Sequence, residues 1–485
     1  MQANLLEIAW HDKAPVWSID ISQSNRVVTA GGDKVARVWR LSNTPALRVK
    51  PVEWLCDLRA HLTTVNIARF SRSGLAIATA ADQGDIVIWR LSSDTDAAAA
   101  PTPLQVASEG TDAAPTPQER WVHETTLRGH HQDVLDLCWS SDGSTLISAS
   151  VDNTINIWDA CNPSARPNVI RAHSNYVQGV AIDPLSKVIA SLGNDRALRI
   201  FAKAGAVPWA QVAVATAITA DSKLFANDTQ FKTFFRRLHW SPDGSVLACP
   251  SGLQFPESER MFAVHLFARN HWSLPAVQCG GLKTPACAVR FSPVLYALRQ
   301  QETISDDKTT VQSHSQSCPS SSSVQRDGEV SSNDVEKNKP QKKPEPFEGF
   351  TYRMIFAVVC ANEILFYDTD ALTRPFATVE GLHCAEHTDV AWSEDGLTVM
   401  LSSVDGYVSV ITFAEEDLGS RLGEQQMPRW LREYSLQRQH LDTGRPVNAT
   451  RVIVPNAVTP RSSKVLPRSD SKNMKADAAV PVKIS

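Results

Sequence analysis

Short stretches of alternating apolar and polar residues, separated by turn-forming residues, run along most of the chain. The clearest example lies between Gly129 and Ala160, where DVLDLCW (133–139) is followed by Asp142-Gly143, STLISAS (144–150) and TINIWD (154–159). Alternation with a period of two is typical of half-buried β-strands, and an Asp-Gly pair between two such stretches favours a tight turn. The pattern therefore predicts antiparallel strands joined by short turns.

Four copies of this pattern share one spacing of polar and aromatic residues. In each copy a His is followed 18 residues later by Thr or Ser, and an aromatic residue stands ten residues beyond that hydroxyl. Six residues before the aromatic stands Asp, except in the second copy, which has Gln83. A fixed spacing of this kind predicts one supersecondary unit copied along the chain. The four sets are His11, Thr29, Asp33 and Trp39; His61, Thr79, Gln83 and Trp89; His130, Ser148, Asp152 and Trp158; and His173, Ser191, Asp195 and Phe201.

The third copy resembles the WD40 repeat, because it has Gly129-His130 near its start and Trp158-Asp159 at its end. Such repeats form the four-stranded blades of β-propellers. Aligning the other first strands on Trp139 predicts a fifth blade from 236–250, closed by a strand at 261–268. A sixth blade begins at 286–293 and is completed by 354–368, and 389–413 forms a seventh. The predicted fold class is thus all-β, a seven-bladed WD40 β-propeller.

The N-terminus is predicted to close the ring. The stretch LLEIAW at 5–10 precedes His11, where each later unit has the strand before its His. It has no earlier blade to complete, so we expect it to be the outer strand of blade seven, which would protect sheet edges that are otherwise exposed.

Two insertions and a tail depart from the repeat. Residues 91–120 are rich in Ala, Pro and Thr, residues 299–349 are rich in Ser and Lys, and both are expected to be disordered. The predicted propeller domain spans 1–419, and 420–485 is a mostly disordered basic tail. From Arg421 onward there are 12 Lys plus Arg against 5 Asp plus Glu, whereas residues 1–420 carry a net charge of −11. The tail is either simply solvated or contacts nucleic acid or an acidic protein surface.

Composition and motifs argue against a membrane protein, a secreted protein and an enzyme. The chain has no run of 18 apolar residues and no secretory signal at its start, and its nine Cys form no CxxC pair. We expect no metal, no cofactor and no small-molecule substrate. His130, Ser148 and Asp152 could be mistaken for a hydrolase triad, but a set that recurs in several blades favours architecture. With Trp158 they are predicted to form a structural hydrogen-bond chain.

The fifth blade breaks the spacing. Phe231 stands where the other units have His, and it is followed by Phe234-Phe235-Arg236-Arg237. Aromatic residues and Arg are favoured anchors of protein interfaces, so Phe234, Phe235, Arg236 and Arg237 are predicted to bind a partner on the propeller. In the alternative, a Phe packs between blades and the arginines are solvated.

Several segments resemble one family closely. They are 7–16, 61–74, 127–139, 148–159, 174–200, 232–238, 364–370 and 402–419. In these segments the chain is similar to the middle WD40 subunit of chromatin assembly factor 1, a heterotrimeric histone chaperone. This resemblance implies a nuclear, non-catalytic protein that helps deposit newly made histones H3–H4 during DNA replication and repair, acting as a docking platform. It implies as partners the large subunit, the small histone-binding WD40 subunit, the H3–H4 chaperone anti-silencing function 1, and H3–H4 through the complex.

The resemblance also implies a site in the tail. In that family a short strand-forming segment binds anti-silencing function 1, and TRVIVP at 450–455 matches it with one Arg instead of two. Arg451, Val452, Ile453 and Pro455 are therefore candidate contacts, with chemistry suited to β-strand addition. A second candidate is 428–434, a short amphipathic helix that either binds a partner or packs back on the propeller.

Two other functions fit a propeller. A HIRA-type chaperone of replication-independent deposition has a similar propeller, and it is expected to be much longer, with a second folded region. A substrate receptor of a ubiquitin ligase is expected to have an adaptor-binding domain such as an F-box, for which neither the N-terminal residues nor the tail has room.

Overall fold

The computed structural model describes residues 1–8, 10–42, 52–92, 116–203, 209–218, 222–227, 229, 233–255, 261–299, 350–427 and 431–432. These residues form seven four-stranded antiparallel sheets, so the fold is the seven-bladed propeller that the repeat predicts. The first strands of neighbouring blades pack against one another around the axis of the ring.

Each blade is a sheet in which strands follow one another from the axis outward. The first strand of the chain, β1, spans Gln2–Leu6. Blade one contains β2 Val16–Ile21, β3 Arg26–Gly31, β4 Ala36–Leu41 and β5 Val52–Leu58. Blade two contains β6 Val65–Phe70, β7 Ala76–Ala81, β8 Ile86–Leu91 and β9 Trp121–Leu127. Blade three contains β10 Val134–Trp139, β11 Thr145–Ser150, β12 Ile155–Asp159 and β13 Asn168–Ile170.

The remaining blades follow the same order. Blade four contains β14 Val177–Ile182, β15 Val188–Gly193, β16 Leu198–Ala202 and β17 Ala210–Ala215. Blade five contains β18 His239–Trp240, β19 Val246–Leu253, β20 Phe262–Ala268 and β21 Val277–Leu282. Blade six contains β22 Ala288–Ala297, β23 Tyr352–Val359, β24 Glu363–Asp368 and β25 Ala377–Glu380. Blade seven contains β26 His387–Trp392, β27 Thr398–Ser403 and β28 Val408–Thr412. The short helices are 3-10 turns at Asp82–Gly84 and Glu424–Gln426 and α1 at Glu415–Leu418.

The N-terminal strand closes the ring, as the sequence predicts. β1 pairs antiparallel with β28, with Gln2 opposite Thr412 and Leu6 opposite Val408, and so becomes the outer strand of blade seven. The strand lies earlier than the predicted 5–10. Trp10 is instead buried against Trp39, with ring centroids 4.6 Å apart, because the chain turns inward before His11.

The hydrophobic core lies between adjacent blades. The cluster between blades two and three shows the pattern, since apolar side chains of one sheet meet those of the next without an intervening layer. Successive side chains of a strand point to opposite faces of the sheet, and both faces of each blade are covered by neighbouring blades, so each strand supplies buried side chains to both, as β6 and β7 show. The members of this cluster include Ile67, Ala78, Ile88, Leu127, Val134, Leu137, Leu146 and Trp158.

The ring has two faces. On the first face the fourth strand of one blade leads to the first strand of the next, and the second strand turns into the third. On the second face lie the turns from first to second and from third to fourth strands. The predicted insertions fall largely at 93–115 and 300–349, outside the described residues. The second of these interrupts blade six between β22 and β23, at the position that the sequence indicated.

The described chain beyond blade seven returns to blade six. Ala297 donates its N–H to Ser420 O at 2.9 Å, and Leu422 donates to Leu295 O at 2.8 Å. Leu422 and Leu431 are buried in the apolar cluster of blades five and six. The described part of 428–434 therefore packs back on the propeller, the second of the two outcomes left open for it. Among the described residues, no helix is both long and apolar enough to span a membrane.

Candidate partner-binding site and axial channel

The polar residues of the third repeat form one hydrogen-bonded chain on the first face. His130 Nδ1 lies 3.0 Å from the Asp152 carboxylate, and His130 Nε2 lies 2.7 Å from the Ser148 hydroxyl. Trp158 donates its indole N–H to Ser148 Oγ at 2.9 Å. In the tautomer with its proton on Nδ1, His130 donates to Asp152 and accepts the Ser148 hydroxyl proton at Nε2. Every member of the chain is thus satisfied, which is what a buried polar group requires.

Blades one and four repeat this arrangement. In blade four, His173 lies 2.9 Å from Asp195 and 2.7 Å from Ser191, while Phe201 takes the place of the indole. Burial lowers the pKa of His173, although its hydrogen bond to Asp195 acts in the opposite direction. Burial raises the pKa of Asp195, but hydrogen bonds and charge from His173 and Arg199 outweigh it and lower that pKa to about 2. The imidazole is therefore neutral and the carboxylate ionised near pH 7. In blade one, the same bonds join His11 to Asp33 and Thr29, both at 2.8 Å, and Trp39 to Thr29 at 3.0 Å.

Blade two keeps only part of the chain. His61 Nε2 lies 2.8 Å from the Thr79 hydroxyl, and Trp89 donates to the same oxygen at 3.0 Å. Gln83 occupies the position of the acid, and among the described residues no carboxylate is hydrogen-bonded to His61 Nδ1. Burial lowers the pKa of His61 to about 4.

Blade seven has a variant of the chain that the sequence spacing missed. His383 Nδ1 lies 3.1 Å from Asp405, and Ser409 lies 2.8 Å from His383 Nε2. The hydroxyl comes from the third strand, β28, because the usual second-strand position, 18 residues after the His, is Leu401. The signal was present in the 22-residue separation of His383 and Asp405, which equals that of the other sets.

The recurrence of these sets favours a structural role for their His and hydroxyl groups. Among the described residues the His–Asp pair occurs in blades one, three, four and seven. The same part of the chain holds no group of three or more His, Cys, Asp and Glu side chains that could bind a metal ion.

The segment Phe234 to Arg237 is divided between surface and interior. Phe234 is 66% exposed, whereas Phe235, Arg236 and Arg237 are buried. The prediction that all four side chains anchor a partner is therefore wrong for the last three. The alternative of solvated arginines is wrong too, because both guanidinium groups lie inside the ring. Of the four, Phe234 alone has an exposed side chain; Phe231 lies outside the described residues.

Arg237 reaches across the axis of the propeller. Its Nη1 donates to Thr388 O at 2.8 Å and Trp17 O at 3.0 Å, and its Nη2 donates to Asn66 O at 3.3 Å. The acceptors belong to blades seven, one and two, although Arg237 itself precedes blade five. The guanidinium carbon also lies 3.9 Å from the ring centroid of Phe235. One side chain thus links blades on opposite sides of the ring.

The backbone before β18 moves inward to place this arginine. Arg236 donates its N–H to Gln178 O at 3.1 Å, and Arg237 donates to Cys287 O at 2.9 Å. Blade five is in this way hydrogen-bonded to the first strands of both neighbours. The close approach requires Gly179, because a Cβ there would lie 2.0 Å from Arg236 O.

Charged residues of other blades complete the axial cluster. Arg69 lies 2.8 Å from the Asp389 carboxylate and donates to Ile19 O at 2.9 Å. Arg237 lies 3.4 Å from Asp389 and 3.8 Å from Asp136. Burial alone would raise the pKa of Asp389, but Arg237, Arg69 and Arg290 lower it to about 2. Buried charges of opposite sign thus stabilise each other around the axis.

The second face opens into the axial channel through a cavity of about 290 Å³. Its floor contains Arg69, Asp136, Arg237 and Arg290, and residues of the surrounding first strands form its wall. The aromatic wall residues are Phe70, Trp139, Trp240, Phe291 and Trp392.

The first face carries two strongly exposed apolar side chains. Leu62, in the connection between blades one and two, is 84% exposed, and Phe234 lies in the corresponding connection before blade five. Exposed apolar groups on a rigid ring are suited to contact with a partner. The tail candidates Arg451, Val452, Ile453 and Pro455 lie outside the described residues.

Comparison with known proteins gives consistent matches. A family model described as the CAF1B/HIR1 beta-propeller domain matches residues 1–418. The B subunit of chromatin assembly factor 1 from Gallus gallus is 34% identical over 436 residues, which cover 87% of this chain and 69% of that protein. The Saccharomyces cerevisiae protein of the same name is 29% identical, covering 87% of this chain and 88% of that protein. Protein HIR1 of Gibberella zeae is 28% identical, covering 89% of this chain and 37% of that protein.

Proposed function

This chain belongs to the CAF1B/HIR1 β-propeller family, and from this premise we propose that it is a non-catalytic subunit of a nuclear histone chaperone complex. In this proposal the complex deposits newly made H3–H4 onto DNA during replication and repair. The observation that carries it is the similarity, over 87% of the chain, to proteins named as the B subunit of chromatin assembly factor 1. The propeller, with its repeated structural hydrogen-bond chains, would serve as the docking platform.

The runner-up is a HIRA-type chaperone of replication-independent deposition. The same family model includes both groups, so the fold does not separate them. Sequence identity favours the first, at 34% to the Gallus gallus chromatin assembly factor 1 protein against 28% to the Gibberella zeae HIR1 protein. The two proposals differ in the partner that they require, the large subunit of chromatin assembly factor 1 or the other subunits of a HIRA complex.

Affinity purification of the tagged full chain from nuclear extract, with mass spectrometry, tests this function. We expect recovery of the large subunit, the small histone-binding WD40 subunit, anti-silencing function 1 and H3–H4. Recovery of HIRA-complex subunits without the large subunit would favour the runner-up. A cullin adaptor in place of all chaperone subunits and histones would refute both and indicate a ubiquitin-ligase receptor.

We propose that the first face, through Phe234, contributes to binding the large subunit. The ring of Phe234 is exposed while its backbone is fixed, since Gln178 donates its side-chain N–H to Phe234 O at 2.9 Å. A fixed, exposed aromatic side chain contributes to binding at low entropic cost. Phe234→Ala should lower the affinity for the large subunit about tenfold or more, measured by calorimetry on the purified subunits. Val212→Ala, an exposed apolar position on outer strand β17, is the matched control; equal affinities of the two variants would contradict the assignment.

For the tail, we propose that Arg451, Val452, Ile453 and Pro455 bind anti-silencing function 1 by strand addition. The support is the composition of the segment, in which β-branched residues stand between an Arg and a Pro. The double change Arg451→Ala with Ile453→Ala should abolish this binding and leave the propeller's thermal unfolding unchanged. A matched double change, Arg461→Ala with Val465→Ala, should retain binding. If the first variant binds anti-silencing function 1 with unchanged affinity, this segment is not the binding site.

A further inference from the structure

Of the three arginines in the floor of the cavity on the second face, Arg290 makes the fewest hydrogen bonds with the described part of the chain. Arg290 donates its Nε–H to Val390 O at 3.3 Å, but within the described part of the chain neither Nη nitrogen has a hydrogen-bond partner. The closest carboxylate oxygen, of Asp389, is 3.8 Å away. The side chain is 20% exposed and lines the cavity, so its remaining N–H groups face the open space.

The other two arginines of the floor make more polar contacts than Arg290. Arg69 uses Nη1 to donate to Ile19 O at 2.9 Å and to pair with Asp389 at 2.8 Å, and Arg237 donates to three carbonyls from its two Nη nitrogens. Arg290 stands next to Arg69, and the mutual repulsion adds to burial in lowering the pKa of Arg290, although Asp389, Asp20 and Asp136 act in the opposite direction. An anion bound at Arg290 would relieve that repulsion.

The walls limit what this anion can be. Asp20 also lines the cavity, and one of its carboxylate oxygens accepts the N–H of Phe70 at 2.9 Å. Asp20 and Asp136 bring negative charge close to the bound group, which disfavours a doubly charged phosphate. A carboxylate carries a single charge and matches the planar fork of a guanidinium. A volume of about 290 Å³ accommodates a side chain and not a folded element.

The walls are also rigid. Trp139 donates its indole N–H to Arg69 O at 3.1 Å, and Trp392 donates to Arg290 O at 3.0 Å. These bonds fix the aromatic rings beside the backbone of both arginines. A carboxylate that enters the cavity would therefore meet a formed site with little need for rearrangement.

We propose that this axial cavity binds the carboxylate of an Asp or Glu side chain carried by a protein partner that docks on the second face. The proposal deepens the docking role given above and rests on it for the identity of the partner, the large subunit. It adds a second contact surface, on the side of the ring opposite Phe234.

The site itself is tested with small probes on the full chain. N-acetylglutamic acid amide, N-acetylglutamine amide, sodium acetate and inorganic phosphate are titrated by calorimetry at equal ionic strength. We expect the glutamic acid derivative to bind at least tenfold more tightly than the glutamine derivative. Arg290→Gln should reduce this binding at least tenfold, whereas Arg290→Lys should retain part of it. Binding of acetate alone, tighter binding of phosphate, or no binding at all would overturn the proposal.

Two further variants separate a binding role from a structural one. Asp20→Asn keeps the acceptor for the Phe70 N–H but removes the competing charge, so it should tighten binding of the glutamic acid derivative at least threefold. A purely structural Arg290 predicts no such gain. Arg90→Gln is the matched control, since Arg90 is exposed on an outer part of blade two and pairs with Glu124 at 2.7 Å; it should leave binding unchanged.

Capture of the large subunit then distinguishes this inference from the proposed function. If the unchanged chain captures the large subunit and Arg290→Gln captures at least fivefold less of it, both the docking function and the carboxylate site are supported. If capture is unaffected by Arg290→Gln, the protein source of the carboxylate is wrong and the docking function stands. If the unchanged chain captures no large subunit, the proposed function fails, and the glutamic acid probe still decides whether the cavity binds a carboxylate.

Discussion

Burial lowers the pKa of the first-face histidines His11, His61, His173 and His383. The effect is clearest for His61, whose hydrogen-bond partner among the described side chains is the Thr79 hydroxyl and whose pKa falls to about 4. Between that value and the ordinary 6.5, the unfolded chain takes up a proton that the folded protein excludes. The free energy of unfolding contributed by this group is therefore present at neutral pH and is lost as the pH falls through this range.

The first prediction concerns His61→Asn. At pH 7 the variant should be less stable by about 1 kcal/mol, because the bond to Thr79 is weakened. The difference from the unchanged protein should shrink as the pH falls below 6.5 and then reverse in sign before pH 4, since Asn has no proton to take up in the unfolded chain. Urea unfolding followed by tryptophan fluorescence at several pH values measures this. A difference in the free energy of unfolding that stays constant with pH would contradict this prediction. His271→Asn, at an exposed position, controls for the loss of an imidazole.

At the same scale, the sequence located the unusual residues of blade five but not the direction of their side chains. The missing His marked Phe234 to Arg237 as different from the other units. Burial of Arg237 depends on carbonyls at Trp17 and Thr388 and on the carboxylate of Asp389, all far away in the chain. Local spacing contains no information on such partners, so two arginines beside two aromatics were interpreted as surface anchors.

Strands were predictable where alternation and turns agreed. The Asp-Gly turn after Trp139 and the strands on either side follow from local chemistry, as does closure by an N-terminal strand. β21 was not placed, because VQCGGL lacks alternation and includes two glycines. β18 has only two residues, since the preceding backbone bonds to both neighbouring blades instead of lengthening its own strand.

The second prediction tests ring closure by β1. In an antiparallel pair, inward-facing and outward-facing N–H groups alternate along the strand. Residues 3 and 4 therefore differ, and only one of the variants Ala3→Pro and Asn4→Pro removes a hydrogen bond to β28. That variant should lower the free energy of unfolding by about 2 kcal/mol. The other variant removes an N–H that points away from β28 and should lower the free energy of unfolding clearly less. Urea unfolding measures both, each serving as control for the other; two variants as stable as the unchanged protein would show that β1 does not hold the ring closed.

At the scale of the whole molecule, the charged side chains around the axis link blades to one another across the centre of the ring. Arg237 contacts blades one, two and seven, Arg69 contacts blades one and seven, and Asp136 accepts the N–H of Val180 in blade four at 3.0 Å. Adjacent blades are joined by apolar packing, but these bonds also join blades that do not touch. They couple the unfolding of distant blades.

The third prediction follows from this coupling. Arg237→Met should lower the free energy of unfolding by about 3–5 kcal/mol, because it removes one of the cations that compensate Asp389 and Asp136 and the donor to three buried carbonyls. Adding Asp389→Asn should recover part of this loss, since it lowers the negative charge left in the cluster. Phe234→Ala, three positions away and exposed, should change stability by less than about 0.5 kcal/mol. Denaturant unfolding measures all three, and a cost for Arg237→Met no larger than for Phe234→Ala would rule out the cross-linking role.

The pairing of β1 with β28 has a consequence for how the protein is made. Gln2 and Thr412 lie 410 positions apart in the chain, so β1 leaves the ribosome long before its partner exists. At about 5–20 residues per second, this delay amounts to roughly 20–80 s. During that time the backbone of β1 is open to pairing with any other exposed strand, including one of a neighbouring nascent chain. The ring closes last, with the strand that was synthesised first.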